Sequence, residues 1–86
     1  MMRQAQEMQK KMETIKEELA ETAIEATSGG GMVTVSISGA YELLDLKIKP
    51  EVVDPDDSEM LEDLLIAAIN EAIKQVNALR DEKLPL

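Results

Sequence analysis

The sequence contains no cysteine, histidine, tryptophan or phenylalanine, and a single tyrosine, Tyr41. Without Cys and His there is no disulfide, no thiolate metal site and no zinc finger. A Cys nucleophile is excluded, and so is a Ser nucleophile activated by a His base. One aromatic ring cannot supply the stacking platforms of a single-strand nucleic-acid binder. The core must instead be assembled from many smaller contacts among Leu, Ile, Val, Met and Ala. Long apolar runs are absent as well. The longest, Leu64 to Ile69, is far too short to cross a bilayer, and Met1 opens directly into a polar, helix-forming segment with no signal-peptide pattern. These absences predict a soluble, cytoplasmic, non-enzymatic chain with no cofactor, no metal and no membrane contact.

Positive charge is also scarce. Nine Lys and Arg face eighteen Asp and Glu, for a formal net charge of -9 and a pI near 4.3. Phosphate neutralisation favours the opposite balance, so the chain as a whole is not a polycation for nucleic acid. An acidic surface docking on a basic protein is one reading of such a balance.

What is present is enough for one domain over residues 1–86. A chain of this size buries only about 60% of its unfolded surface, and with disulfides and metals excluded the remaining staple is a partner chain. Self-association is therefore the expected state.

Residues 1 to 21 are good helix formers uninterrupted by Gly or Pro. The apolar residues Ala5, Met8, Met12, Ile15 and Leu19 follow a strict 3-4-3-4 spacing, a narrow coiled-coil-like seam that must lie on another helix. On such a seam Met8 and Met12 are core residues rather than a pliable ligand groove. At Thr22 the period falls to two. Ile24 and Ala26, then Val33, Val35 and Ile37, then Leu44, Leu46 and Ile48 alternate with polar neighbours, broken by Gly29–Gly31 and Gly39 and ended by Pro50. This predicts strands over 22–28, 32–38 and 42–49 in an antiparallel meander with one buried face.

Gly29–Gly31 lacks a following Lys-Ser/Thr and leads into a strand, which favours a hairpin turn over a phosphate loop. In the cluster Asp54, Asp56, Asp57 and Glu59, the sixth position of a calcium loop would be Glu59 instead of Gly. Helix capping, with Asp56 as N-cap and Glu59 closing a capping box, is the simpler reading. The second helix is expected over 57–82, with Leu65, Ile69, Ala72, Val76 and Leu79 in heptad spacing and Leu61, Ile66, Ala68 and Ile73 beside them. That apolar face is too wide for one neighbour. One side can serve the first helix and the other the sheet or a second subunit. The fold class is α+β: helix, three-stranded antiparallel meander, long helix. A lone three-stranded sheet is thin support for two long helices, and pairing across a two-fold axis resolves this.

Several stretches together resemble the YbaB/EbfC family of bacterial nucleoid-associated proteins: QAQEMQKKM (Gln4–Met12), EEL (Glu17–Leu19), GGMVTVSISG (Gly30–Gly39), LDLKIKP (Leu44–Pro50) and MLEDLLIAAINEA (Met60–Ala72). No one piece is diagnostic, but their order and spacing across most of the chain are specific. The resemblance implies an intertwined or sheet-paired homodimer with projecting helical arms. It also implies binding to double-stranded DNA with weak sequence preference, a nucleoid location, and a role in chromosome organisation or gene regulation. Family members often continue into a tail rich in Gly, Pro and Met, whereas this sequence ends Leu84-Pro85-Leu86, so nothing is carried over from such a tail.

Charge distribution reconciles DNA with the net acidity. Residues 1–12 hold Arg3, Lys10 and Lys11 against Glu7, a sum of +2, and residues 74–86 hold Lys74, Arg80 and Lys83 against Asp81 and Glu82, a sum of +1. Residues 51–63 hold seven acids and no base. If the helices pack antiparallel along their seams, the two basic segments meet at one tip, far from the acidic one. Heptad placement puts Arg3 and Lys10 facing away from the seam with Lys11 beside them. Arg3, Lys10, Lys11, Lys16, Lys74 and Arg80 are accordingly the candidate DNA contacts. The competing reading is an ordinary solvated face with pairs such as Glu7–Lys11. The acidic Glu51–Asp63 segment is the candidate surface for other proteins, such as a replication or repair factor.

Overall fold

The computed structural model describes residues 2–84. Met1, the expected helix start, and Pro85 and Leu86 lie outside the described residues. The elements run α1 (Met2–Glu21), β1 (Ala23–Ser28), β2 (Val33–Ser38), β3 (Leu43–Ile48), a short 3-10 turn (Pro50–Val52) and α2 (Ser58–Lys83). This is the α+β order that the two hydrophobic periods dictate.

The strands form one antiparallel sheet in the order β1-β2-β3. At the β1–β2 hairpin Gly29, Gly30 and Gly31 all take positive φ, between 60 and 93°. A run of three left-handed residues is accessible only to glycine, which is why the triplet is a turn. Register brings Ala26, Val35 and Leu46 into one row and Val33 opposite Ile48. Between Ser36 and Ile37 the β2–β3 ladder slips by one residue, leaving Leu44 as the extra residue of a bulge.

α2 lies across β1 and β2. Ala68, Ala72 and Val76 are fully buried against Ala26, Val33, Val35 and Ile37, with Leu61, Leu64, Leu65 and Ile69 packed around them. Small residues at three positions spaced by four let the helix axis sit close to the strands. Ser28 Oγ donates to the Leu64 carbonyl at 2.6 Å, fixing the start of α2 at the glycine hairpin. From there α2 runs back along the sheet toward Gly39.

Three sequence expectations change in detail. The N-cap of α2 is Asp57, whose carboxylate accepts from the Met60 N–H at 3.2 Å, not Asp56 with Glu59. Asp56 instead has its N–H held by Asp54 Oδ1 at 2.9 Å, so the loop closes its own turn before the helix starts. The second change concerns the sheet face. α2 covers β1 and β2 but stops short of β3, so Leu43, Leu44 and Leu46 remain 48%, 51% and 41% exposed. The third concerns α1. Within the chain its seam is covered only at the base, where Leu19 is buried and Ile15 and Met12 are half-buried, while Met8 is 56% exposed. Among the described residues, the end of β2 at Gly39 and the last turns of α2, through Leu79 and Lys83, lie beside this base.

Candidate nucleic-acid interface

The geometry of the basic residues follows from how α1 leaves the sheet. α1 ends at Glu21 and β1 begins at Ala23. The groove between the two helices is lined by Ile15, Glu18, Leu19 and Thr22 of α1 and its edge and Leu79 and Lys83 of α2. The helices are thus antiparallel where they meet, as matching seams suggest. Lys83 and Ile15 line this same groove, and α1 from Met12 back to Met2 extends a further ten residues beyond it, roughly 15 Å at 1.5 Å per residue. The depression around Met8 is lined by Gln4, Glu7, Met8 and Lys11, all of α1 itself. The molecule is accordingly long and narrow, 64 × 18 × 16 Å.

Arg3, Lys10 and Lys11 are all exposed on this projecting part. Arg3 and Lys10 are seven residues apart, two turns on the same face and about 10 Å along the axis. No acidic residue occupies the first turn of α1. Arg3 therefore sits where the helix dipole disfavours a cation, and local helix energetics does not account for it.

The other three candidates are placed differently, and the expected meeting of both basic segments at one tip does not occur. Lys16 is exposed lower on α1, between Glu13, Glu17 and Glu18. Lys74 is exposed on α2, two positions from buried Ala72 and Val76, and so on the side turned away from the sheet. Arg80 turns inward: its Nη1 donates to the Gly39 carbonyl at 2.8 Å, and its guanidinium lies 5.3 Å from the centre of the Tyr41 ring. Tyr41, the only aromatic, takes positive φ of 64° and donates its hydroxyl to Asn77 Oδ1. Sequence reasoning missed this cluster. The one available signal was a lone Tyr two residues after a Gly at a strand end.

The acidic segment is at the opposite end. Glu51, Asp54, Asp56, Asp57, Glu59, Glu62 and Asp63 are all exposed around the loop and first turns of α2. Charge is therefore segregated along the long axis, with cations on the free end of α1 and carboxylates beyond the glycine hairpin.

A sheet body carrying one projecting helix, with exposed cations at its far end, defines the class: an α+β protein with a helical arm. Comparison with known proteins gives the family. The profile of the YbaB/EbfC DNA-binding family matches residues 1–85. A nucleoid-associated protein of Chloroflexus aurantiacus is 49% identical over 84 residues, covering 98% of this chain and 84% of that one. Another, from Oceanobacillus iheyensis, is 56% identical over 77 residues, covering 90% of this chain and 74% of that one. The crystal structure of an uncharacterized protein of Helicobacter pylori superposes with a TM-score of 0.82 at 33% identity, covering 91% of this chain and 82% of that one. The chain belongs to the YbaB/EbfC DNA-binding family.

Proposed function

We propose that the chain binds double-stranded DNA as a homodimer with low sequence specificity, is located at the nucleoid, and serves chromosome organisation or gene regulation there. The observation that carries this reading is the separation of charge: Arg3, Lys10 and Lys11 stand on an arm that keeps them far from the Glu51–Asp63 carboxylates. At physiological ionic strength charges beyond roughly 8 Å are screened, so the arm presents its local +2 to phosphate rather than the net -9 of the chain. Family membership and the names of the relatives support the same target.

Two uncovered apolar surfaces support the homodimer. One is the trough beside β3. Asn77 and Arg80 reach the β2–β3 turn, so the flank of α2 they occupy faces β3, and Ile66 and Ile73 on that flank are 58% and 36% exposed. Together with Leu43, Leu44 and Leu46 they form an apolar surface that a second copy would cover. The other is the open part of the α1 seam, where Ala5 and Met8 are exposed and the depression beside Met8 is lined by α1 alone among the described residues.

Arg3, Lys10 and Lys11 are the principal phosphate contacts in this reading, with Lys16 and Lys74 secondary. Three cations per arm, two arms per dimer and no side chain set to read base edges imply modest affinity and little sequence preference. The test is a duplex titration at several salt concentrations. Affinity should fall steeply with salt, with log K against log salt having a slope of about -0.9 per phosphate neutralised. No binding at low salt would mean that the acidic end decides, and the target would then be a basic protein surface docking on Glu51–Asp63.

A further inference from the structure

We propose that Arg80 is a positioning residue: it touches no phosphate and, through Gly39, fixes the direction in which α1 leaves the sheet. The inference rests on the duplex reading only for its consequence in binding.

The Gly39 peptide group is where three elements meet. Its N–H donates to the Leu19 carbonyl at 2.9 Å and to the Thr22 carbonyl at 3.1 Å, which ties the end of α1 to the end of β2. Its own carbonyl accepts from Arg80 Nη1 at 2.8 Å, which ties the same unit to α2. Gly39 is buried, and a Cβ at this position would overlap the Leu19 carbonyl oxygen, so the approach of α1 depends on the missing side chain.

The turn that presents Gly39 is itself held from several sides. Ser38, 1% exposed, accepts at Oγ from the N–H groups of Ala40 and Glu42, both at 3.1 Å. Tyr41 is kept in its left-handed conformation with its hydroxyl on Asn77 and its ring under the Arg80 guanidinium. A charge-assisted hydrogen bond in a partly buried place is about twice as strong as a neutral one, and the stacked cation adds to it. Little else holds α1: among the described residues, Leu19 is its one buried side chain. Small changes at Gly39 therefore become large displacements at Lys10 and Arg3, because the arm is long and its root is narrow.

The test uses the absence of cysteine in the chain. Spin labels at Gln9→Cys on the arm and Thr27→Cys on the sheet, diluted with unlabelled protein, report the arm's orientation as a distance distribution. Arg80→Met is expected to broaden it. Arg80→Lys, which keeps a cation near Tyr41 and a donor toward Gly39, should restore much of the width. Tyr41→Leu is measured in parallel and should also broaden the distribution, so the test stands even where Arg80→Met fails to fold. Distributions unchanged in the folded variants overturn the proposal.

Duplex titrations supply the second arm. Arg80→Met should weaken binding roughly 2- to 30-fold, the range of positional coupling, with the salt slope unchanged because every phosphate keeps its cation. A slope reduced by about 0.9 per chain would make Arg80 a phosphate ligand and overturn the assignment. If the wild-type protein does not bind duplex, the proposed function falls, while the label distances still decide the role of Arg80.

Discussion

At Gly39 the peptide N–H serves two carbonyls of the α1 end and the peptide C=O serves α2, in a space that excludes a Cβ. Gly39→Ala must therefore push α1 off the sheet or break those bonds. We expect a destabilisation of about 2–3 kcal/mol, in the range of overpacked buried sites, read from urea midpoints at fixed protein concentration; a midpoint equal to wild type would show that the arm root yields without cost. The sequence marks this glycine as a turn residue, but its role as the joint of three elements depends on Leu19, Thr22 and Arg80, which lie 20, 17 and 41 positions away. The candidate residues divide along the same line. The exposure of Arg3, Lys10 and Lys11 on one stretch of α1 was legible because helical spacing alone predicts it. The engagement of Arg80 was not, since composition treats a guanidinium bound to a carbonyl and one facing solvent alike.

At the scale of elements, α2 shows how a helix with a wide apolar face divides its neighbours. Ala68, Ala72 and Val76 meet the sheet, Leu79 meets the root of α1, and Ile66 and Ile73 are left beside β3. The leucines of β3 stay largely uncovered among the described residues, although Leu46 pairs directly with buried Val35. Leu46→Glu should cost the isolated chain little, because the side chain is already 41% exposed. In a homodimer it would place carboxylates in the apolar interface, an uncompensated burial costing several kcal/mol. Sedimentation equilibrium should then give a monomer where the wild type gives a dimer, with the circular dichroism of both alike; a variant that stays dimeric removes β3 from the interface.

For the whole molecule the governing feature is a charge gradient along a 64 Å axis. Lys10→Glu with Lys11→Glu reverses the positive end and leaves the buried core in place, since both side chains are exposed. Duplex affinity should fall at least tenfold at low salt, because a cation removed from a phosphate takes with it both attraction and counterion release. The apparent molecular mass should not change. Duplex binding equal to wild type would move the interface away from the arm.

Local sequence was enough to set the element order, the sheet's alternation, the glycine hairpin and the segregation of charge along the chain. These depend on short periods, turn residues and counting, which need no knowledge of neighbours. It also carried the family, through five stretches in order. Packing in three dimensions determined where α2 lies on the sheet, and hence that β3 and the outer part of α1 stay uncovered. It selected the capping residue of α2, because Asp56 and Asp57 compete for one role and only loop geometry separates them. It also placed Arg80 on Gly39 instead of on the arm, since a side chain's partner is fixed by the packing of elements and not by its position in sequence.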